Sequence, residues 1–130
     1  FSSVPDAVVI YLGTNDYLRS KKYSTGYSLA GMKAAYMEFI DAAVGAYYGT
    51  DVPIVLCSGL MVHDSGLAGA AKGAADALKP KYPYLRAIDF EAGVTEPVGG
   101  HPVVEDSEKA GKVLADALKA LFESAGRPIV

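Results

Sequence analysis

The chain has 130 residues, 51% of them hydrophobic and 21% charged, with a formal net charge of −3. That length and balance describe one globular domain spanning residues 1–130, and an acidic chain gives no support for nucleic acid as a partner. No apolar run approaches the roughly 18 residues of a membrane span, and the single cysteine, Cys57, leaves neither an intramolecular disulfide nor a multi-cysteine metal site.

The chain opens Phe1-Ser2-Ser3-Val4-Pro5 and enters its first apolar run almost at once, which reads as a segment of a longer protein. Residues 7–12, Ala-Val-Val-Ile-Tyr-Leu, are continuously apolar and rich in β-branched side chains. A run without alternation suits a strand covered on both faces, as in a parallel sheet. Gly13-Thr14-Asn15-Asp16 breaks it at the strand's C-terminal end, the end where open α/β sheets hold their ligands. Residues 17–26 read as a polar loop.

A long helix is predicted over 28–47, with Leu29, Met32, Tyr36, Phe39, Ile40, Ala43 and Tyr47 forming one apolar stripe and Gly49 as its stop. Residues 53–57 form a second apolar strand, ended by Ser58-Gly59. Asp64 or Ser65 caps a further helix that runs to about Lys79, where Pro80 ends it. Gly66, Gly69 and Gly73 each weaken that helix by about 1 kcal/mol relative to Ala, so packing must hold it. Residues 84–90 are a third strand. A loop over 91–100 delivers His101-Pro102, and a last helix runs from about Glu105 to Ser124. Its stripe is Ala110, Val113, Leu114, Ala117, Leu118, Leu121 and Phe122. Three strands alternating with helices make a doubly wound α/β pattern with a parallel sheet. Three strands also make a thin sheet with an edge left open.

Two positions carry chemistry. Asn15, on the strand-end turn, offers a side-chain amide donor of the kind that holds a developing oxyanion in acyl transfer. Its ordinary reading is a turn residue, since Gly and Asn both tolerate left-handed backbone. His101 sits between Gly99-Gly100 and Pro102 on a loop with no apolar face nearby, and histidine is the usual general base at neutral pH. His63 reads as a surface or capping residue. The carboxylates show no spacing that would converge three or four zinc ligands, and no cofactor is implied.

Together these residues resemble the SGNH, or GDSL, hydrolase superfamily. Residues 5–16 are similar to its third block, Gly-x-Asn-Asp, and Gly100-His101-Pro102 before a helix is similar to its fifth. The resemblance implies a three-layer, flavodoxin-like fold without its N-terminal strands. It implies His101 as the base that activates a serine and Asn15 as an oxyanion-hole donor; Gly13, Asp16 and Tyr17 are the candidate residues beside the substrate, with an ordinary loop aromatic as the other reading of Tyr17. Cys57-Ser58-Gly59-Leu60-Met61 stands where the carbohydrate esterase family 2 branch has Gly-Pro-Met, so the implied substrate is a small-molecule or carbohydrate ester, an O-acetyl sugar in particular.

Two departures stand out. The Gly-Asp-Ser block with the nucleophile is not among these residues, so the serine is expected upstream. The partner at the open sheet edge is then the missing N-terminal segment or another chain. The carboxylate that usually precedes the histidine is replaced by Val98 and Gly99, which leaves a backbone carbonyl, Glu91 or Glu96 to orient the ring. Ser58 is the best internal serine, but a strand-end turn serine is its ordinary reading, and no Gly-x-Ser-x-Gly elbow is present. The alternative from another class is a non-catalytic glycan-binding or interaction module on the same fold. The family leans towards secretion, although nothing in these residues sets a compartment.

Overall fold

The first apolar run becomes the edge of a three-stranded parallel sheet. The structure, a computed structural model, describes residues 3–23, 28–61, 64–90 and 102–127. β1 (Val8–Ile10), β2 (Ile54–Gly59) and β3 (Leu85–Phe90) lie in that order across the sheet. Val8 pairs with Ile54 and Ile54 with Leu85, so the three strands run in one direction. All six residues of β2 are buried. A central strand covered on both faces explains why its sequence shows no alternation.

The helices are α1 (Thr14–Tyr23), α2 (Leu29–Phe39), α3 (Ala46–Tyr48), α4 (Ser65–Leu78) and α5 (Val104–Ser124). A six-residue π-helical segment, Ile40–Gly45, joins α2 to α3. On one face of the sheet, α2, the π segment and α4 pack against Ile10, Ile54, Leu56 and Leu85 through Met32, Ile40, Leu67 and Ala74. On the other face α5 covers Val55, Cys57 and Phe90 with Ala110 and Leu121. The α/β class and parallel sheet are therefore as read from the sequence.

The capping choice for α4 falls to Asp64, whose carboxylate accepts the Gly66 N–H at 2.8 Å. Packing holds this glycine-weakened helix, as expected. Ala70, Ala71, Ala74 and Ala75 are all buried, whereas Gly73 is not needed for space, since a Cβ there would meet Lys33 of α2 at an ordinary 3.5 Å.

Three readings are corrected. Residues 17–23 are not loop but the body of α1, whose first helical bond runs from the Tyr17 N–H to the Gly13 carbonyl at 2.9 Å. Burial of Tyr17, 6% exposed, anchors a helix whose polar sequence carries little sign of it. The long helix over 28–47 is not one regular rod. A π segment takes more residues per turn than an α-helix, so the stripe drifts, burying Val44 and leaving Tyr47 63% exposed. Val113, assigned to the α5 stripe, is 45% exposed because α5 lies chiefly over β3.

The two sheet edges differ. β3 carries exposed Arg86, a charge of the kind that blunts an edge strand. Along β1 no charged residue occurs between Ala7 and Leu12, and Val9 and Leu12 are 44% and 54% exposed. With exposed Phe39 nearby, that edge forms an apolar groove.

Candidate functional site

The C-terminal ends of the three strands share one side of the molecule, and those of β1 and β2 lead into left-handed residues. After β1 the chain turns at Gly13, φ +94°. Glycine is needed there twice over. The backbone angle disfavours a side chain, and a Cβ would stand 2.5 Å from the Tyr36 hydroxyl. Tyr36 uses that hydroxyl to donate to the Leu12 carbonyl at 2.8 Å, which ties the turn to α2. Burial raises the pKa of this phenol, and the nearby Asp16 carboxylate adds to the rise.

Asn15 and Asp16 follow in the first turn of α1, both exposed. Asp16 favours the positive end of the helix there. Asn15 thus keeps an amide in solvent at the sheet end where its role was expected. Tyr17 points the other way. Its ring belongs to the buried core beside Ile10 and Met32, which leaves little surface to present to a sugar. Beside the turn an apolar pocket of about 210 Å³ is lined by Ile10, Leu12, Gly13, Asp16, Met32, Ala35, Tyr36 and Phe39.

After β2 the chain turns at Gly59 (φ +88°) and Leu60 (φ +68°). The Met61 N–H donates to the Gly59 carbonyl at 2.9 Å, closing a three-residue turn around Leu60. A non-glycine residue held at positive φ is uncommon, and such strain collects at functional sites. The Tyr11 hydroxyl donates to the same Gly59 carbonyl, and its ring meets Phe90 edge-on at 5.8 Å. Burial raises the Tyr11 pKa, opposed in part by hydrogen bonds with Met61 and Thr14. Tyr11 therefore links the ends of all three strands, a role hidden in the sequence because it reads there as one more apolar strand residue.

Ser58, the internal serine, is 2% exposed and donates to Asp89 Oδ1 at 3.2 Å. Register explains the meeting, since Ser58 pairs with Asp89 across the β2–β3 ladder and both point to the α4 face. At 2% exposed, Ser58 has almost no surface from which to meet an ester carbonyl. Asp89 carried no signal in sequence, because only the register brings it to Ser58.

His101, with His63, Glu91, Glu96, Val98 and Gly99, lies outside the described residues. Among the described residues no group of three or more His, Cys, Asp or Glu is placed to hold a metal ion. No helix among them is long and apolar enough to cross a membrane. No family model, curated protein or solved structure matches this chain.

Proposed function

We propose that these residues form the C-terminal part of an SGNH-type ester hydrolase acting on an O-acetylated carbohydrate or a similar small ester. The observation that carries the reading is the exposed Asn15 amide, held on a glycine-hinged turn at the C-terminal end of a parallel strand. Ligands of open α/β sheets bind at that end. In this reading a serine outside these 130 residues attacks the ester carbonyl, and His101 takes its proton. Asn15 donates to the tetrahedral oxyanion, and His101 then activates the water that releases the acid. The burial of Ser58 favours an external nucleophile.

Fluorophosphonate labelling tests the proposal, since it traps an activated serine covalently. The native polypeptide containing these residues should label, and His101→Ala should abolish labelling. Asn15→Ala should slow ester turnover by about 10²–10³-fold, the scale of one lost oxyanion donor. Labelling that persists in His101→Ala overturns the mechanism. The 130-residue chain by itself should turn over nitrophenyl acetate poorly. Fast turnover that survives Ser58→Ala and disappears in His101→Ala would refute the external serine.

The apolar, uncharged edge of β1 favours a second reading, a non-catalytic interaction or glycan-binding module that docks another chain there. Absence of fluorophosphonate labelling, with retained binding of an acetylated glycan, selects it.

A further inference from the structure

We propose that the open edge of β3 binds an extended peptide of another protein as a fourth strand, and that Arg86 and Lys79 select a peptide with an acidic side chain. The proposal is independent of the hydrolase reading, whose missing segment belongs at the opposite edge, β1.

Strand register supplies the first argument. The Ile54 and Leu60 N–H groups donate to the Tyr84 and Phe90 carbonyls at 2.9 and 3.2 Å, so the even-numbered residues of β3 bond to β2. The Leu85 C=O and the Ala87 N–H and C=O therefore point outward. Among the described residues none of these three groups has a partner. An added strand pairs with groups of this kind.

The shape beside the edge is the second. A groove of about 410 Å³ is lined by the consecutive residues 85–89 and by α4 from Ser65 to Lys79. Side chains alternate across a strand, so a hollow that touches five residues in a row lies beside β3 and not on one face of it. Its inner wall of Ala68, Gly69, Ala75 and Ala87 is small and uncharged, with open space beside Gly69. That wall accepts the apolar side chains of a strand.

Charge is the third, and it names the occupant. Lys72 is tied to Asp76 at 2.6 Å. Lys79 and Arg86, at the end of the groove where β3 begins, have no ion pair among the described residues. Arg86 thus turns away apolar and basic edges and offers an acidic strand a cross-strand partner. A second copy of this chain does not fit. Because α5 lies chiefly over β3, the two copies of α5 would stand about 5 Å apart, one strand spacing, against the roughly 8–10 Å of packed helices.

The test titrates the 130-residue chain with the blocked peptide acetyl-Val-Thr-Val-Glu-Val-Thr-Val-amide and with its counterpart carrying Lys in place of Glu. Fluorescence anisotropy of the labelled peptides reads binding, and amide hydrogen exchange reads Ala87. The Glu peptide should bind saturably, at least about threefold more tightly than the Lys peptide, the scale of a partly exposed ion pair. It should also slow exchange of the Ala87 N–H. Arg86→Glu, a change at an exposed position, should reverse the preference. Absent binding, equal binding of the two peptides, an unchanged preference in Arg86→Glu, or binding without protection of Ala87 overturns the proposal. Sedimentation of the chain alone as a dimer, with Ala87 already protected, would overturn it in favour of a second copy. The hydrolase reading fails separately, by absent fluorophosphonate labelling of the native polypeptide, a readout that Arg86→Glu should leave unchanged.

Discussion

Replacing Gly13 with alanine should destabilise the protein through two separable effects. Residue 13 sits at φ +94°, and left-handed backbone costs a residue bearing a Cβ about 1–2 kcal/mol. The added carbon would also lie 2.5 Å from the Tyr36 hydroxyl oxygen, 3.2 Å from its ring and 3.3 Å from the Met32 methyl. Tyr36 is buried, so the clash must be relieved by moving packed groups, at about 1–3 kcal/mol. The sum is about 2–5 kcal/mol, a large share of a stability of about 5–15 kcal/mol. Urea unfolding followed by circular dichroism measures it. The contact is tested by a double-mutant cycle with Tyr36→Phe, which alone costs about 1 kcal/mol by leaving the Leu12 carbonyl without its donor. Removing the hydroxyl takes away the nearest obstacle, so the double mutant should recover about 1 kcal/mol relative to additivity. A Gly13→Ala protein within about 0.5 kcal/mol of the parent, or an additive cycle, would refute the reasoning.

Three further outcomes follow from the packing. Tyr82 donates to Asp41 Oδ1 at 2.6 Å, and Lys81 reaches the same oxygen at 2.8 Å. Tyr82→Phe should therefore cost about 1–2 kcal/mol near neutral pH by thermal unfolding. The Lys81 bond first and the Tyr82 bond second hold the Asp41 carboxyl below its ordinary 3.8. This contribution is present above the unfolded pKa and is lost as pH falls through the folded one. The parent should consequently lose more stability than Tyr82→Phe on acidification below about pH 4, and equal pH slopes would contradict the bond. Cys57 is fully buried, with its thiol pushed up to about 11, so iodoacetamide at pH 8 should modify it only as fast as the protein opens. Alkylation at the rate of an exposed cysteine would show the α5 face to be open. Finally, Val9→Lys places a charge on the apolar β1 edge and should reduce concentration-dependent light scattering by the 130-residue chain. Unchanged scattering would mean that association runs through another surface.

The parts of the fold legible in sequence were those written in local apolar pattern. Residues 53–57 announce a strand buried on both faces because every side chain is apolar, although the strand itself runs on through Ser58 and Gly59. Met32, Tyr36 and Ile40 mark the inward face of a helix by spacing alone. The Gly13 turn and Asn15 could be found the same way, because a glycine hinge after an apolar run is a local signal.

Tertiary structure decided the rest. The polar residues of α1 predict a loop, and the helix exists because Tyr17 finds a place in the core. The π segment coincides with Tyr82, whose hydroxyl reaches Asp41 past Gly45, where a Cβ would collide with it. Tyr82 is some forty residues away in the chain, so no window over 40–45 contains the cause. The Ser58–Asp89 bond and the Tyr11 link to Gly59 depend on strand register, a relation between segments. Local pattern thus set which segments become strands and helices and where the Asn15 turn falls, because burial periodicity acts over a few residues. Pairing and packing alone decided which polar groups meet, which serine is shut away, and which apolar edge remains bare.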